Sequence, residues 1–366
     1  MDMFIEQELE KRAVPALMKL NNGERVTKEN WEERRKELLD CLSKNLYGYT
    51  PPAPPEVKAT CTGVDRWYTF GGKATAEKYD ISFDTPTGEY SFPIRVILPK
   101  NVEKPPVMLH LYFNNFIQPT LPVEEIMENG FALAVVNYED IVNDHRHGDY
   151  SDGLAKAFGT DNPRKPEEWG KIGMWAYALS RVLDYLLTRE DIDGQKTIVS
   201  GHSRLGKTAL WTAAQDERFW GCIANASGYG GAATSKHGAG ERVRDFLRAG
   251  SWDWFCENYK EFVDEKEDCK PYDQAYLLAL IAPRVLCIGD ASEDRGADPI
   301  SEYVTAHWAS QAWELLGSKG LISADRLPEL GDKFLEGGIS YHYRWGYHFF
   351  GREDWNTYME FIKAKL

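Results

Sequence analysis

Alternating strand and helix patterns across about 250 residues predict an α/β protein, a mainly parallel central sheet covered by helices on both faces in a three-layer sandwich. Three observations carry that expectation. Short apolar runs at Val107 to Tyr112, Phe131 to Val136, Gly221 to Asn225 and Val285 to Gly289 have the length and composition of buried parallel strands. Trp169, Ile172, Ala176, Leu179, Val182, Leu183 and Leu186 recur at three and four, the spacing of an amphipathic helix. Between them, Thr197-Ile198-Val199-Ser200-Gly201-His202-Ser203-Arg204-Leu205-Gly206-Lys207 reads as a strand, a sharp turn and a departing helix.

Taken in order, residues 1–60 read as an N-terminal helical arm packed on a main domain spanning 61–366. Thr27 is placed to cap a helix bearing Trp31, Leu38, Leu39, Leu42 and Leu46, which ends near Gly48. Pro51, Pro52, Pro54 and Pro55 then impose an extended crossing. Tyr79 to Phe83 and Phe92 to Leu98 alternate as strands, with Thr85-Pro86-Thr87-Gly88 as the intervening turn. Asp354 to Lys365 carries the last helical pattern.

The 366 residues carry a formal charge of −14, which argues against a nucleic-acid partner. Arg242, Arg244 and Arg248 are interleaved with Glu241 and Asp245, as on a solvated or ion-paired helix face. No apolar stretch approaches the length of a membrane span. The first residues show no basic segment followed by an apolar core, so the expected location is the cytoplasm, unless a leader has been trimmed. Six scattered cysteines form no CxxC pair, and Cys222 and Cys287 lie in apolar runs as core residues. Asp144-His145-Arg146-His147-Gly148-Asp149 alternates histidines that can ligate zinc, but it reads as a polar surface loop, so no metal is expected there.

A serine delivered onto a tight strand-to-helix turn is presented as a nucleophile, which singles out Ser203. The spacing departs from Gly-x-Ser-x-Gly, because the second glycine, Gly206, comes one place late. Alone, such a serine caps a helix; what favours chemistry is the order serine, acid, histidine along the chain. The base is expected at His348, on a glycine-containing loop before the last helix, with His342 as a rival inside the preceding strand. The acid is expected after Val285 to Gly289, where Asp290, Glu293, Asp294 and Asp298 cluster; Glu293 is favoured, with Asp294 as runner-up. The backbone N–H of Arg204 and a group from Phe113-Asn114-Asn115-Phe116 are the expected oxyanion donors. The Arg204 guanidinium either reaches the same oxygen or forms a structural salt bridge.

These residues resemble the glucuronoyl esterases, carbohydrate esterase family 15, particularly the bacterial members. The likeness rests on Gly201 to Lys207, Asn225 to Ala233, Asp273-Gln274 through Ala279 to Arg284, Glu293-Asp294 with Ala297-Asp298-Pro299, and Gly346 to His348 with Asp354-Trp355. It implies an α/β-hydrolase fold, no cofactor, and cleavage of 4-O-methyl-glucuronoyl esters on xylan. It further implies Ser203 as nucleophile, Arg204 at the oxyanion, His348 as base, and Lys207 and Glu241 against the uronic sugar. Two features depart from the pattern. Ala226 stands where fungal members carry glutamate, which moves the acid to the later loop; Arg295 and Gly296 replace a tryptophan that shapes the sugar site. The expected substrate is thus a small carbohydrate ester or oligosaccharide. An oligosaccharide deacetylase or general small-ester hydrolase, and a non-catalytic sugar-binding relative, are the alternatives.

Overall fold

The computed structural model describes residues 4–66, 69–114, 120–159, 164–234 and 236–366. Its strands are β1 (Lys58–Asp65), β2 (Ala74–Thr85), β3 (Gly88–Pro99), β4 (Pro106–Tyr112), β5 (Ala132–Asn137), β6 (Asp193–His202), β7 (Gly221–Asn225), β8 (Val285–Ala291), β9 (Lys333–Phe334) and β10 (Ile339–Arg344). The helices are α1 (Phe4–Lys11), α2 (Trp31–Leu42), α3 (Val123–Glu128), α4 (Gly153–Ala157), α5 (Lys171–Leu186), α6 (Arg204–Gln215), α7 (Val243–Ala249), α8 (Gln274–Ala279), α9 (Pro299–Leu315) and α10 (Arg352–Lys363).

One 10-stranded sheet runs in the order β1-β2-β3-β5-β4-β6-β7-β8-β10-β9. Its centre, from β5 to β10, is parallel, and antiparallel strands close both edges. Alternation on the central strands explains the layers. Val107, Leu109 and Leu111 of β4 and Val199 of β6 point into the larger core, which also holds buried residues of α5, α6, α8 and α9. Met108, Ile198, Ile223 and Cys287 point the other way, toward α3 and α10. Both faces are therefore apolar, as in a doubly covered sheet.

Three local differences from the sequence expectation have physical causes. Helix α2 starts at Trp31, not just after Thr27, because the Asn30 side chain accepts the Thr27 N–H at 2.7 Å and fixes a turn first. The helix then widens into a π-turn at Ser43–Tyr47 that buries Leu46 and stops at Gly48. There φ is +85° and a Cβ would lie 2.2 Å from the Trp169 backbone. Strand β1 escapes sequence reading because it is an edge strand, largely exposed, with no apolar alternation. Leu38, Leu42 and Leu46 sit in the same core as the central strands, and Arg35 donates to the Ala214 carbonyl at the end of α6 at 2.7 Å.

The chain leaves β4 toward β5 on one side and returns through β6 on the other. The carboxyl ends of β4 and β6 thus flank a topological switch point, where open α/β sheets bind ligands.

Candidate active site

Strand β6 ends at His202, and Ser203 takes φ +57° and ψ −129° before α6 begins. A positive φ at a residue with a side chain is strained, so the surroundings must enforce it. The Ser203 N–H donates to the Asn225 carbonyl at 2.9 Å, tying the turn to β7. A Cβ at Gly201 would lie 2.1 Å from the Leu205 carbonyl, so only glycine lets the helix fold back this closely. At Gly206 a Cβ would meet Ser227 at 3.1 Å, a tight fit without a clash. The late second glycine therefore matters less than the first. The N-terminus of α6, twelve residues long, leaves its first N–H groups and its positive dipole end beside the serine.

Ser203, Arg204, Lys207, Glu241, Asp294 and His348 line one cleft of about 390 Å³. The His348 Nδ1 lies 2.5 Å from the Asp294 Oδ2. Glu293 is not the partner of that imidazole. Residues 291 to 294 close a turn in which the Asp294 N–H donates to the Ala291 carbonyl, so Glu293 sits at the exposed tip while Asp294 folds inward. The Glu293 N–H instead donates to the Gly346 carbonyl at 2.8 Å, which holds the histidine loop against this turn. Burial raises the affinity of Asp294 for a proton. The hydrogen bond and charge of His348, with the Asp290 carboxyl and the Ala297 N–H, outweigh it and hold the group below the usual carboxylate range.

The His202 ring packs on His348, centroids 4.4 Å apart. Asn225 Nδ2 donates to the Gly289 carbonyl, so its Oδ1 faces the His202 Nδ1 at 2.8 Å, and that nitrogen must carry the proton. Burial and the neighbouring His348 push the His202 pKa down to about 4, so it stays neutral near pH 7. A neutral ring there adds no repulsion when a proton arrives on His348. The rival His342 is buried in β10 with its Nε2 2.8 Å from the Asp354 Oδ1, which also accepts Arg344 Nε at 2.7 Å. It takes no part in the cleft.

Arg204 does form a salt bridge: Nη1 lies 2.8 Å from the Asp144 Oδ2. Trp254 Nε1 donates to the other Asp144 oxygen at 2.7 Å, and the guanidinium lies 4.7 Å from the Trp254 ring centre and 5.1 Å from that of Phe113. The pair fixes a cation inside the cleft instead of withdrawing it. Lys207 is buried with Nζ 4.0 Å from a Glu241 carboxylate oxygen; desolvation lowers its pKa and Glu241 opposes that shift. Phe113 and Asn114 follow β4, with the Phe113 ring 6.3 Å from that of His202, whereas Asn115 and Phe116 lie outside the described residues. Among the described residues no group of three or more His, Cys, Asp or Glu is arranged to hold a metal; His145 instead meets Asp149 at 3.1 Å. Sequence reading did not rank Asp144 or Trp254, whose roles depend on a contact 60 and 110 residues away in the chain.

The family described as "Glucuronyl esterase, fungi" matches residues 81–317. A glucuronoyl esterase from Solibacter usitatus is 32% identical with a TM-score of 0.88, covering 96% of this chain and 98% of that one. A carbohydrate esterase from an unknown prokaryotic organism, MZ0003, is 32% identical over 98% of this chain and 90% of its own length. The 4-O-methyl-glucuronoyl methylesterase of Podospora anserina is 28% identical over 81% of this chain and 59% of its own length.

Proposed function

This chain belongs to the glucuronoyl esterase family, carbohydrate esterase family 15, and from that premise we propose how it cleaves a 4-O-methyl-glucuronoyl ester of xylan-derived material. It is a carboxylic ester hydrolase. Ser203 is the nucleophile, His348 the base and Asp294 the acid that orients it. One observation carries the assignment: a serine held on a strained turn shares its cleft with an imidazole whose far nitrogen is bonded to a carboxylate.

With Nδ1 engaged by Asp294, the His348 Nε2 is the nitrogen left to take the Ser203 proton. The serine oxygen attacks the uronoyl carbonyl, and negative charge grows on the carbonyl oxygen. The N–H groups opening α6 and the fixed Arg204 guanidinium supply donors for that charge. His348 then returns the proton to the departing alcohol, and water releases the uronic acid by the same steps in reverse. Lys207 and Glu241 offer a donor and an acceptor to sugar hydroxyls in the same cleft.

The test is a substrate panel of methyl 4-O-methylglucuronate against acetylated xylo-oligosaccharides, run beside labelling with an organophosphonate. Expected are preferential hydrolysis of the uronate and modification at Ser203. Preference for acetyl groups would move the substrate to deacetylation, and absence of labelling would remove the nucleophile. A second expectation follows from the cation clamp. Asp144→Ala frees Arg204 and lowers kcat about 10- to 100-fold, with KM little changed, by disordering one oxyanion donor. Steady-state kinetics with a melting curve for foldedness measure it.

A further inference from the structure

Behind the triad acid lie two more carboxyl groups, both fully buried: Asp290, near the end of β8, and Glu302, in the first turn of α9. Their hydrogen bonds are incomplete in a particular way. Asp290 Oδ1 accepts the Ala291 N–H at 2.7 Å, while Oδ2 is enclosed and meets no donor among the described residues. Glu302 Oε1 accepts from Ser227 Oγ at 2.9 Å and the Gly228 N–H at 2.8 Å, while Oε2 is likewise enclosed without one among those residues. An enclosed acceptor with no donor is costly, and an unpaired buried charge more so. A proton on the orphan oxygen turns it from an unsatisfied acceptor into a donor. For Asp290 an acceptor is present, because its carboxyl is in hydrogen-bond contact with that of Asp294.

We propose that Asp290 is a positioning residue: a neutral carboxylic acid that donates its proton to the Asp294 carboxylate and holds it against His348. The proposal rests on Asp294 being the triad acid. The groups around Asp290 agree with a neutral form. Glu302 faces it from α9, Asp294 from the following loop with His348 beyond, and Tyr341, Tyr343 and Arg344 from β10. Arg344, the cation in this set, is already engaged by Asp354 at 2.7 Å. Lys207 of α6 faces Glu302 and Asp294. Desolvation first, then the charges of Glu302 and Asp294, raise the affinity of Asp290 for its proton. Burial raises that of Glu302 too. The cluster thus sorts its charge, leaving the anion on the member that touches the imidazole.

Asparagine is the discriminating replacement, since its oxygen can keep the Ala291 bond while its amide donates to Asp294. Asp290→Asn is expected to keep wild-type kcat and an acid limb of kcat/KM at the wild-type pH. Asp290→Ala removes the donor, and kcat is expected to fall about tenfold or more with KM unchanged, as for loss of a charge-assisted hydrogen bond. If Asp290 were instead an anion, Asp290→Asn would remove a negative charge near His348, and the acid limb would move to lower pH; that shift overturns the proposal. Wild-type kcat in Asp290→Ala overturns it as well. Should Asp290→Ala not fold, as judged by circular dichroism, the asparagine profile alone decides. Asp294→Asn is run beside them: full activity there would sink the triad assignment itself, whereas a crippled Asp294→Asn with an unaffected Asp290→Ala sinks only this proposal.

Discussion

Asp294→Asn is expected to lower kcat by about four orders of magnitude, while Glu293→Gln stays within about twofold of the parent. The two neighbours differ by one place and face opposite environments. Asp294 is buried beneath the turn and bonded to His348 Nδ1 at 2.5 Å, whereas Glu293 is at the exposed tip. An asparagine at 294 has nearly the same shape and can still accept the Ala297 N–H. What it loses is the charge that stabilises the imidazolium, and its amide can present a hydrogen to Nδ1, favouring the wrong tautomer. Steady-state kinetics on the uronate ester measure the loss, and equal rates for the two variants would contradict the assignment. A pH signature accompanies it. The native Asp294 holds its proton more weakly than an unfolded aspartate does. Its contribution to stability is therefore complete above the unfolded value near pH 4 and is lost as pH falls through the lower native value. Asp294→Asn should flatten the acid side of a stability-versus-pH curve, measured by urea unfolding.

Ser203→Ala is expected to lower kcat by about six orders of magnitude, the loss typical of removing the attacking oxygen. Binding should survive, because Arg204, Lys207 and Glu241 remain in the cleft. Stability should barely change: the Ser203 side chain makes no capping hydrogen bond, and alanine must adopt the same φ of +57°. Calorimetric titration with the uronic acid product, together with kinetics, separates these effects. Retained turnover would place the nucleophile elsewhere.

The elements that build the site were largely readable in advance where the signal is local. β7 and β8 begin where the apolar runs at Gly221 and Val285 begin, and α5 carries the three-and-four repeat from Ile172 onward. Strand β1 and the start of α2 were not, because an exposed edge strand lacks alternation and an asparagine side chain overrode the Thr27 cap. In the site, Asp290 was visible as a carboxylate near the end of a buried strand, but Glu302, which faces it, lies in a helix with no comparable mark.

The amino-acid order alone determined the layered sheet, the strained serine turn and the late histidine loop, because periodicity, glycine placement and turn chemistry act within a few residues. Only the tertiary structure decided which carboxylate meets His348, what grips Arg204, and where the charge among Asp290, Asp294 and Glu302 resides. Those outcomes depend on burial and on neighbours brought from distant segments, and a buried carboxyl group takes its protonation from everything packed around it.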